Sequence, residues 1–299
     1  MAPPPIRLRL LGTVPYLEAL TLMRSWTAAR HAARKGAGHP VQGQGISLQG
    51  DPVQGNAPVQ APPVRAPADS AHASSPAAIS RRWPMLDEAA SAGDEIWLMQ
   101  HPPVFTLGMN SQPEHLLAPG DIPVVPTERG GQVTYHGPGQ LMAYLMLELR
   151  PRKLGIRRLV EAIEEALIDC LGHYGIRALR QEGAPGIYVH PRVLARPVRP
   201  VHDTPAPAPS PKGARVAHRP AADVAKIASI GIKTSNGFSY HGLALNAQMD
   251  LAPFARINPC GFSQLQMTDI RHEQADQGNV DLDELAWRLG HALRATLER

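Results

Sequence analysis

Cysteine is scarce in this chain of 299 residues, which contains only Cys170 and Cys260. Two cysteines in very different settings do not form the framework of a disulfide-stapled domain. The sequence also lacks CxxC, HExxH and clustered Cys/His spacings, which are typical of zinc sites. We therefore expect a reduced compartment and neither a metal nor another cofactor.

Long apolar runs are also missing. No segment approaches the roughly 20 apolar residues that a membrane-spanning helix needs. The N-terminal stretch MAPPPIRLRLLG lacks the apolar region of a signal peptide. These two absences predict a soluble, cytoplasmic protein.

Aromatic residues make up only 5% of the chain, whereas the formal net charge is +4 and the isoelectric point is about 9.3. Nucleic-acid-binding proteins usually carry a clustered basic surface, often with aromatic side chains on which bases stack. The basic residues here are scattered, so nucleic acid is disfavoured as a partner. A basic surface equally suits an acidic protein.

Hydrophobic residues make up 43% of the whole chain. Outside the segments rich in proline, they occur in short apolar runs. Alternation predicts strands at 6–11, 95–99, 104–107, 122–125, 133–135, 141–149, 186–189, 226–232 and 240–250. Helical spacing predicts helices from near Pro15 to Arg30, at 157–174 and from near Asp281 onward. Many strands with few helices indicate an α+β fold with a largely antiparallel or mixed sheet and flanking helices.

Details within the predicted helices follow from the same spacing. The apolar stripe of the first helix is expected to comprise Leu17, Leu20, Met23 and Trp26 or Thr27. Gly175 is a plausible C-cap of the second helix. Asp281 and Glu284 have capping-box spacing at the start of the third, whose stripe comprises Leu282, Leu285, Leu289, Leu293 and Leu297.

Two segments differ from the rest in composition. Residues 33–82 are rich in Pro, Gly, Gln, Ala and Ser, and residues 192–222 are rich in Pro, Ala and Arg. Such segments lack the apolar density that offsets the entropy of ordering. We expect flexible insertions in one catalytic domain spanning 1–299, although linkers between two domains are a competing interpretation.

The two cysteines occupy contrasting positions. Cys170 falls on the apolar stripe of a predicted helix and is expected to be a core residue. Cys260 stands between Pro259 and Gly261, residues typical of turns rather than of helix or strand interiors. We expect the thiol in that turn to be exposed rather than packed in the core, and it is either an unreactive loop residue or a nucleophile.

A glycine-rich segment, ERGGQVTYHGPGQ at 128–140, lies between two predicted strands. Glycines allow sharp turns and a close approach of a ligand to the backbone. The segment lacks the Gly-Lys-Ser/Thr of a phosphate-binding loop, and it does not open a helix as a dinucleotide fingerprint does. An irregular hairpin is the simpler interpretation, and nucleotide binding is unsupported.

Several motifs together resemble those of the lipoyl(octanoyl) transferase family. They are HPPVFTLG, RGGQVTYHGPGQLMAY, GAPGIYV, KIASIGI, SYHGLALN and INPCG, in that order along the chain. The resemblance covers about 6–297 apart from the two Pro-rich segments. It implies the fold of biotin and lipoate protein ligase catalytic domains, which is also that of class II aminoacyl-tRNA synthetases.

The same resemblance implies an activity and its partners. It implies transfer of an octanoyl or lipoyl group from acyl carrier protein to a lysine of lipoyl domains, the first step of protein lipoylation. The implied acceptors are the lipoyl domains of 2-oxoacid dehydrogenases and the glycine cleavage H protein. No ATP is required, because a thioester donor is already activated. We expect a monomer with transiently docked acidic partners.

The resemblance also implies site residues. Cys260 matches the residue that carries the acyl thioester, and Lys226 matches a lysine that lowers the pKa of that thiol. Ligand contacts carry over onto Arg129, Gly130, Gly131, Gln132, Val133, Thr134, Tyr135, His136, Ser229, Ile230, Gly231, Gly242, Leu243 and Ala244. Within this set, Tyr135, Ile230, Leu243 and Ala244 are expected to form an apolar slot for the acyl chain, unless they are plain core residues.

Chemical reasoning supports a cysteine, since a thiolate is both a good nucleophile and a good leaving group. Lys226 has two rivals as the partner of that thiol. Lys233 is expected to be a solvated surface charge, and His241 is either a base or a satisfied structural group. His136 is expected to line the acyl site, and backbone N–H groups near Gly231, Gly242 or Gly261 are possible oxyanion donors.

Two other classes of function stay open. An ATP-dependent lipoate or biotin protein ligase of the same fold requires ATP and a free fatty acid, and leaves Cys260 without a task. A non-catalytic module that binds carrier protein keeps the basic surface but is indifferent to the substitution Cys260→Ala.

Overall fold

A computed structural model describes residues 3–36, 93–192, 220–221, 223–259, 262, 265–274 and 278–299. Most of the two predicted insertions, together with Cys260 and Gly261, lies outside the described residues. Residues 33–36, which composition assigned to the first insertion, are helical. The helix therefore continues a few residues past the predicted start of the insertion, since Ala33, Arg34 and Lys35 have high helix propensity.

The elements, in chain order, are β1 (Ile6–Thr13), α1 (Tyr16–Gly36), β2 (Asp94–Gln100), β3 (Val104–Leu107), β4 (Val124–Pro126), β5 (Thr134–His136), β6 (Gln140–Glu148), α2 (Ile156–Gly172), β7 (Ala178–Leu179), β8 (Gly186–Val189), β9 (Ala225–Ser235), β10 (Phe238–Asn246), β11 (Gln266–Met267), α3 (Ile270–Glu273) and α4 (Leu282–Leu297). Short 3₁₀ turns at Pro113–His115 and Ala252–Arg256 complete the set.

The main sheet has the strand order β1-β2-β6-β10-β9-β8-β7, and β11 pairs with the start of β9. The β1–β2 and β9–β11 pairs are parallel, whereas the other neighbours are antiparallel. A second, three-stranded sheet has the order β4-β3-β5. The mixed sheets with flanking helices confirm the predicted fold class.

Two apolar clusters cover the two faces of the main sheet. Because successive side chains of a strand point to opposite faces, alternate residues of β2 and β6 belong to different clusters. Ile96 and Leu145 pack with α2 and α4, whereas Trp97 and Tyr144 pack with α1. The central strands are therefore buried on both sides.

Helix α1 confirms most of the predicted stripe, because Leu20, Met23, Trp26 and Thr27 are buried. Leu17 is 51% exposed, so its assignment to the stripe was wrong. Tyr16 instead begins the stripe, and it continues at steps of four and three residues through Leu20 and Met23.

The other two long helices begin and end close to their predicted positions. Cys170 is fully buried in α2, and burial raises the pKa of its thiol to about 12. Gly175, just beyond that helix, has φ 69°. The Asp281 carboxylate accepts hydrogen bonds from the Asp283 and Glu284 N–H groups at 2.9 and 3.1 Å, which confirms it as an N-cap.

Strands β9 and β10 form a hairpin that positions the site. Asn236 and Gly237 have φ 53° and 88°, as expected for a type I′ turn. Their tight turn extends β9 beyond its predicted end at 232, and β10 ends at Asn246 rather than at 250. Strands β7 and β11 and helix α3 were not predicted, since elements of two to four residues carry no detectable periodicity.

None of the described helices is long and apolar enough to cross a membrane.

Candidate active site

A cavity of about 740 Å³ opens beside the β9–β10 hairpin. The glycine-rich segment before and within β5 forms another wall, and the first turns of α2 line one side. The cavity is lined by thirteen of the fourteen residues expected to contact ligand: Arg129, Gly130, Gly131, Gln132, Val133, Thr134, His136, Ser229, Ile230, Gly231, Gly242, Leu243 and Ala244. Three distant sequence motifs thus meet around one space.

Tyr135 is the expected residue that does not line this cavity. Its ring packs against Phe105 and Phe254 at centroid separations of 5.5 and 5.6 Å, within a separate apolar cluster. The reason is the two-residue alternation of β5, which places Thr134 and His136 on the cavity side and Tyr135 on the other. The structure therefore contradicts the assignment of Tyr135 to the acyl slot.

Lys226 lies at one end of the cavity, near the start of β9, and is only 2% exposed. Its Nζ donates a hydrogen bond to the Pro185 carbonyl at 3.0 Å. The same Nζ lies 5.1 Å from the centroid of the Tyr188 ring, within the range of a cation–π contact. The lysine is thus held in a fixed, desolvated position at the cavity wall.

The chain that follows Cys260 approaches this lysine. The Phe262 N–H donates to the Pro259 carbonyl at 3.1 Å, and Phe262 lines the same cavity as Lys226. Two residues of β11 follow, of which Met267 pairs with Lys226. The Thr268 N–H then donates to the Lys226 carbonyl at 3.0 Å. Cys260 itself lies outside the described residues.

The Arg129-Gly130-Gly131 segment is packed against two neighbouring strands. The Arg129 guanidinium, which is buried, donates to the Thr106 carbonyl at 2.7 Å and to its hydroxyl at 2.8 Å. The Gly130 N–H donates to the Ile232 carbonyl at 3.1 Å. A side chain at Gly108 would lie 2.4 Å from the Gly131 carbonyl oxygen, so the close approach requires glycine there.

His136 is buried in the cavity wall between two polar partners. Its Nδ1 lies 2.7 Å from Gln140 Oε1, and its Nε2 lies 3.1 Å from Thr106 Oγ1. Burial holds the pKa of His136 well below its usual value, and the positive charge of Arg129 acts in the same direction. A neutral imidazole that is hydrogen-bonded at both nitrogens serves to shape the wall rather than to exchange protons.

His241 lies at the opposite end of the cavity from Lys226. It pairs with Ile232, which lies six residues along β9 from Lys226. The backbones of these two residues are therefore roughly 20 Å apart at the usual strand rise. The backbone of His241 has φ 61°, an uncommon value for a residue with a side chain. Burial lowers the pKa of His241 to about 3. The distance from Lys226 and the low pKa of the imidazole both argue against His241 as a base for a group near Lys226.

Lys233, the other rival, is partly exposed in β9, with Nζ 3.2 Å from Met109 Sδ. It does not line the cavity.

Several cavity residues were missed by the sequence reasoning. They are Tyr16, Asn110, Met142, Tyr144, Ile156, Val160, Gly183, Ala184, Pro185, Tyr188, Ile232 and Phe262. Tyr16 lies on α1 and Tyr144 on β6. His101 packs against Tyr16, with ring centroids 5.1 Å apart, and its Nε2 lies 2.7 Å from the Tyr144 hydroxyl oxygen. Burial lowers the pKa of His101 to about 4. The histidine of the HPPVFTLG motif was the available signal for this group.

Within the described part of the chain, no group of three or more His, Cys, Asp or Glu side chains is placed to hold a metal ion.

Comparisons with known proteins give a consistent result. The model of the lipoyl protein ligase A/B catalytic domain matches residues 84–294. The chain is 49% identical over 196 residues to an octanoyltransferase of Pseudomonas entomophila (strain L48), covering 66% of this chain and 74% of that protein. It is 50% identical over 204 residues to an octanoyltransferase of Ectopseudomonas mendocina (strain ymp), covering 68% and 82%.

Solved structures share the fold at low sequence identity. A lipoate-protein ligase A bound with ATP aligns at a TM-score of 0.53 and 14% identity, covering 99% of this chain and 86% of that one. A bipartite lipoate protein ligase from Thermoplasma acidophilum aligns at a TM-score of 0.52 and 13% identity, covering 98% and 84%.

Proposed function

This chain belongs to the octanoyltransferases of the lipoyl protein ligase A/B catalytic-domain family, and we propose how it transfers its acyl group. The donor is octanoyl-acyl carrier protein, and the acyl group passes through a thioester on Cys260. The acceptor is a lysine of a lipoyl domain, in 2-oxoacid dehydrogenases or in the glycine cleavage H protein. A lipoyl group can replace the octanoyl group, and ATP is not consumed.

The observation that carries the proposal is the position of Lys226. It is buried at the wall of the cavity, and the segment that follows the Pro-Cys-Gly turn pairs with it through Met267 and Thr268. A buried amine beside a thiol favours transfer of the thiol proton, since the resulting thiolate and ammonium stabilise each other in a desolvated site. The arrangement thus provides what an acyl-accepting cysteine needs.

In the first half-reaction, the Cys260 thiol passes its proton to the neutral Lys226 amine, which gives a thiolate–ammonium pair, and the thiolate attacks the thioester carbonyl of the donor. The tetrahedral intermediate collapses by breaking the bond to the carrier sulfur. Lys226 returns the proton to that sulfur, so that the carrier leaves as a thiol. One thioester replaces another, which makes the step nearly isoenergetic.

In the second half-reaction, the neutral amine of the acceptor lysine attacks the acyl-cysteine. The Cys260 sulfur leaves, Lys226 takes the surplus proton from the new nitrogen, and an amide forms. This step runs downhill because an amide is more stable than a thioester. The proton then restores the Cys260 thiol, and the enzyme returns to its starting state.

The cavity offers a slot of suitable length for the acyl chain. A Cβ at Gly186 would lie 3.0 Å from Lys226 Nζ, and Gly186 pairs with Ser229. The end of the Lys226 side chain therefore lies beside Ser229, three residues along β9 from its own backbone. Three strand residues separate Ser229 from Ile232, the partner of His241, which is roughly 10 Å and comparable to an extended eight-carbon chain. Burying about six methylenes contributes on the order of 5 kcal/mol.

The test follows the intact mass of the purified protein after mixing with octanoyl-loaded acyl carrier protein in the absence of ATP. We expect an octanoyl adduct on the wild type, none on Cys260→Ala, and discharge of the adduct by an added lipoyl domain. If product forms only with ATP and free octanoate, the protein is a ligase and the proposal fails. An adduct that persists on Cys260→Ala would place the acyl group on another residue.

Lys226→Arg in the same assay separates charge from proton transfer. Arginine keeps the positive charge but does not release a proton near neutral pH. We expect transfer to fall by about 10²-fold or more, as for loss of a general acid–base group. Full activity of this variant would eliminate the proton shuttle while leaving the thioester in place.

A further inference from the structure

Glu164 is a buried carboxylate that belongs to none of the recognised motifs. It lies on α2 and is only 8% exposed, although the neighbouring Glu165 is exposed. Carboxylates are rarely buried to this extent unless they are paired, because desolvation of the charge is costly. We therefore expect the Glu164 carboxylate to have hydrogen-bond donors or a positive charge beside it.

The Glu164 carboxylate has contacts on both oxygens. Oε1 accepts a hydrogen bond from the Gly186 N–H at 3.2 Å. Oε2 lies 3.2 Å from Arg180 Nε, and the side chain of that arginine is 47% exposed. One oxygen thus points inward to the start of β8, and the other meets a partly solvated cation at the surface.

The inward contact leads directly to Lys226. Pro185, the residue before Gly186, provides the carbonyl that accepts the Lys226 Nζ hydrogen bond at 3.0 Å. Gly186 has φ 128°, and a Cβ there would lie 2.6 Å from Lys226 Cε. The Pro185-Gly186 turn is therefore shaped around the lysine side chain, and Glu164 holds that turn by its backbone N–H.

Three charged side chains of the described residues act on Glu164. Arg180 follows β7, Lys226 lies on β9, and Glu161 is one helical turn earlier on α2. Burial raises the pKa of Glu164, whereas the Gly186 N–H, Arg180 and Lys226 oppose that rise. A carboxylate in this setting and a buried ammonium stabilise each other.

We propose that Glu164 is a positioning residue for Lys226: it fixes the Pro185-Gly186 turn that seats the lysine, and its negative charge stabilises the ammonium that forms when the lysine receives the thiol proton. This inference rests on the proposed role of Lys226. It extends the usual logic of nucleophile and base, in which a third group orients the base. Here the carboxylate acts through a backbone turn rather than by direct contact.

The test compares Glu164→Gln, Glu164→Leu and the control Glu165→Gln. Glutamine keeps an oxygen that can accept from Gly186 but removes the charge, whereas leucine removes both. Glu165 is the matched control because it is exposed and pairs only at the surface, with Arg299 at 2.7 Å. The measured quantities are kcat and KM for the octanoyl donor between pH 6 and pH 10, together with Tm.

With Glu164→Gln, the basic limb of the pH–rate profile should move to lower pH by roughly one unit, since the ammonium loses its counter-charge. With Glu164→Leu, kcat should fall at least tenfold while KM for the donor stays within about twofold. Glu165→Gln should leave every measured quantity unchanged. If the Glu164→Leu variant does not fold, Glu164→Asp replaces it. Aspartate keeps the charge but draws it away from Gly186, so it should lower kcat without moving the basic limb of the pH–rate profile.

Wild-type kcat and an unmoved basic limb in Glu164→Gln would overturn the proposal, as would a fall that merely tracks Tm. Lys226→Ala in the same series separates this outcome from failure of the proposed function. If Lys226→Ala transfers octanoate at the wild-type rate, the role of Lys226 is wrong, whereas loss of transfer in Lys226→Ala with a normal Glu164→Gln refutes the Glu164 proposal alone.

Discussion

At the scale of single residues, the surroundings of Lys226 show why one glycine is required. Gly186 has φ 128°, and a Cβ there would lie 2.6 Å from the Ala228 carbonyl oxygen and 2.6 Å from Lys226 Cε. A lysine side chain can move, but a backbone carbonyl in the middle of a sheet cannot easily do so. The position therefore couples the backbone of β8 to the placement of the lysine.

Gly186→Ala is expected to lower stability by about 1–3 kcal/mol, because alanine is strained at this φ. It is also expected to lower octanoyl transfer more than the folded fraction alone explains. Urea unfolding and transfer rates on the same preparation measure both effects. Gly172→Ala is the control, since no atom lies within 4 Å of a Cβ there and the residue ends a helix. Equal transfer in the two variants would contradict the coupling.

At the scale of elements, the β9–β10 hairpin supplies one long wall of the cavity. Gly242 pairs with Gly231, and Leu243 and Ala244 pair with Ile230 and Ser229. A Cβ at either paired glycine would clash with a neighbouring backbone carbonyl, that of Ala143 at Gly242 and that of Gly130 at Gly231, so the two glycines permit close packing around the cavity. Ala244 belongs to the cluster that contains Met142 and Tyr144, which also line the cavity. The bulk of the residue at 244 should therefore limit the space for the acyl chain.

Ala244→Trp is expected to shift preference toward shorter acyl chains. The added ring fills part of the slot, and overpacking itself costs about 1–3 kcal/mol of stability. The ratio of hexanoyl to octanoyl transfer, measured with one preparation, cancels any difference in the folded fraction. We expect that ratio to rise at least tenfold, whereas an unchanged ratio would remove Ala244 from the acyl slot.

At the scale of the whole molecule, three buried histidines link stability to pH. Burial lowers the pKa of His101 to about 4 and of His241 to about 3, and it holds the pKa of His136 well below its usual value. In the unfolded chain these side chains titrate near pH 6.5. The unfolded state therefore binds more protons than the folded state in the interval between.

Stability should consequently be complete above about pH 6.5 and should fall as the pH drops toward about 4, because protons bind preferentially to the unfolded chain. Thermal unfolding at pH 7, 6, 5 and 4.5 measures the trend. His101→Asn should flatten the slope, even if its Tm at pH 7 is lower, since one buried site no longer titrates. A Tm that is constant from pH 7 to pH 4.5 would contradict this account.

Some features were predictable from sequence alone because they depend on local spacing. The stripes of α2 and α4, the N-cap at Asp281 and the buried Cys170 follow from helical periodicity and capping chemistry. The glycine-rich segment and Lys226 were recognisable from motifs that keep their order along the chain. Thirteen of the fourteen residues expected to contact ligand do line one cavity. Neighbours in sequence decide the helix stripes and the N-cap, whereas the cavity residues were predicted from the family resemblance.

Other features depend on which elements pack together, so they become visible only once the chain is folded. Tyr135 points away from the cavity because β5 pairs with β3 in one register. Tyr16 and Tyr144 reach the cavity because α1 packs on the face of the main sheet that carries Tyr144, which brings residues 128 positions apart to one wall. Glu164 meets Gly186 only because α2 packs under β8. Such contacts arise from long-range pairing, which residue spacing within a single segment does not encode.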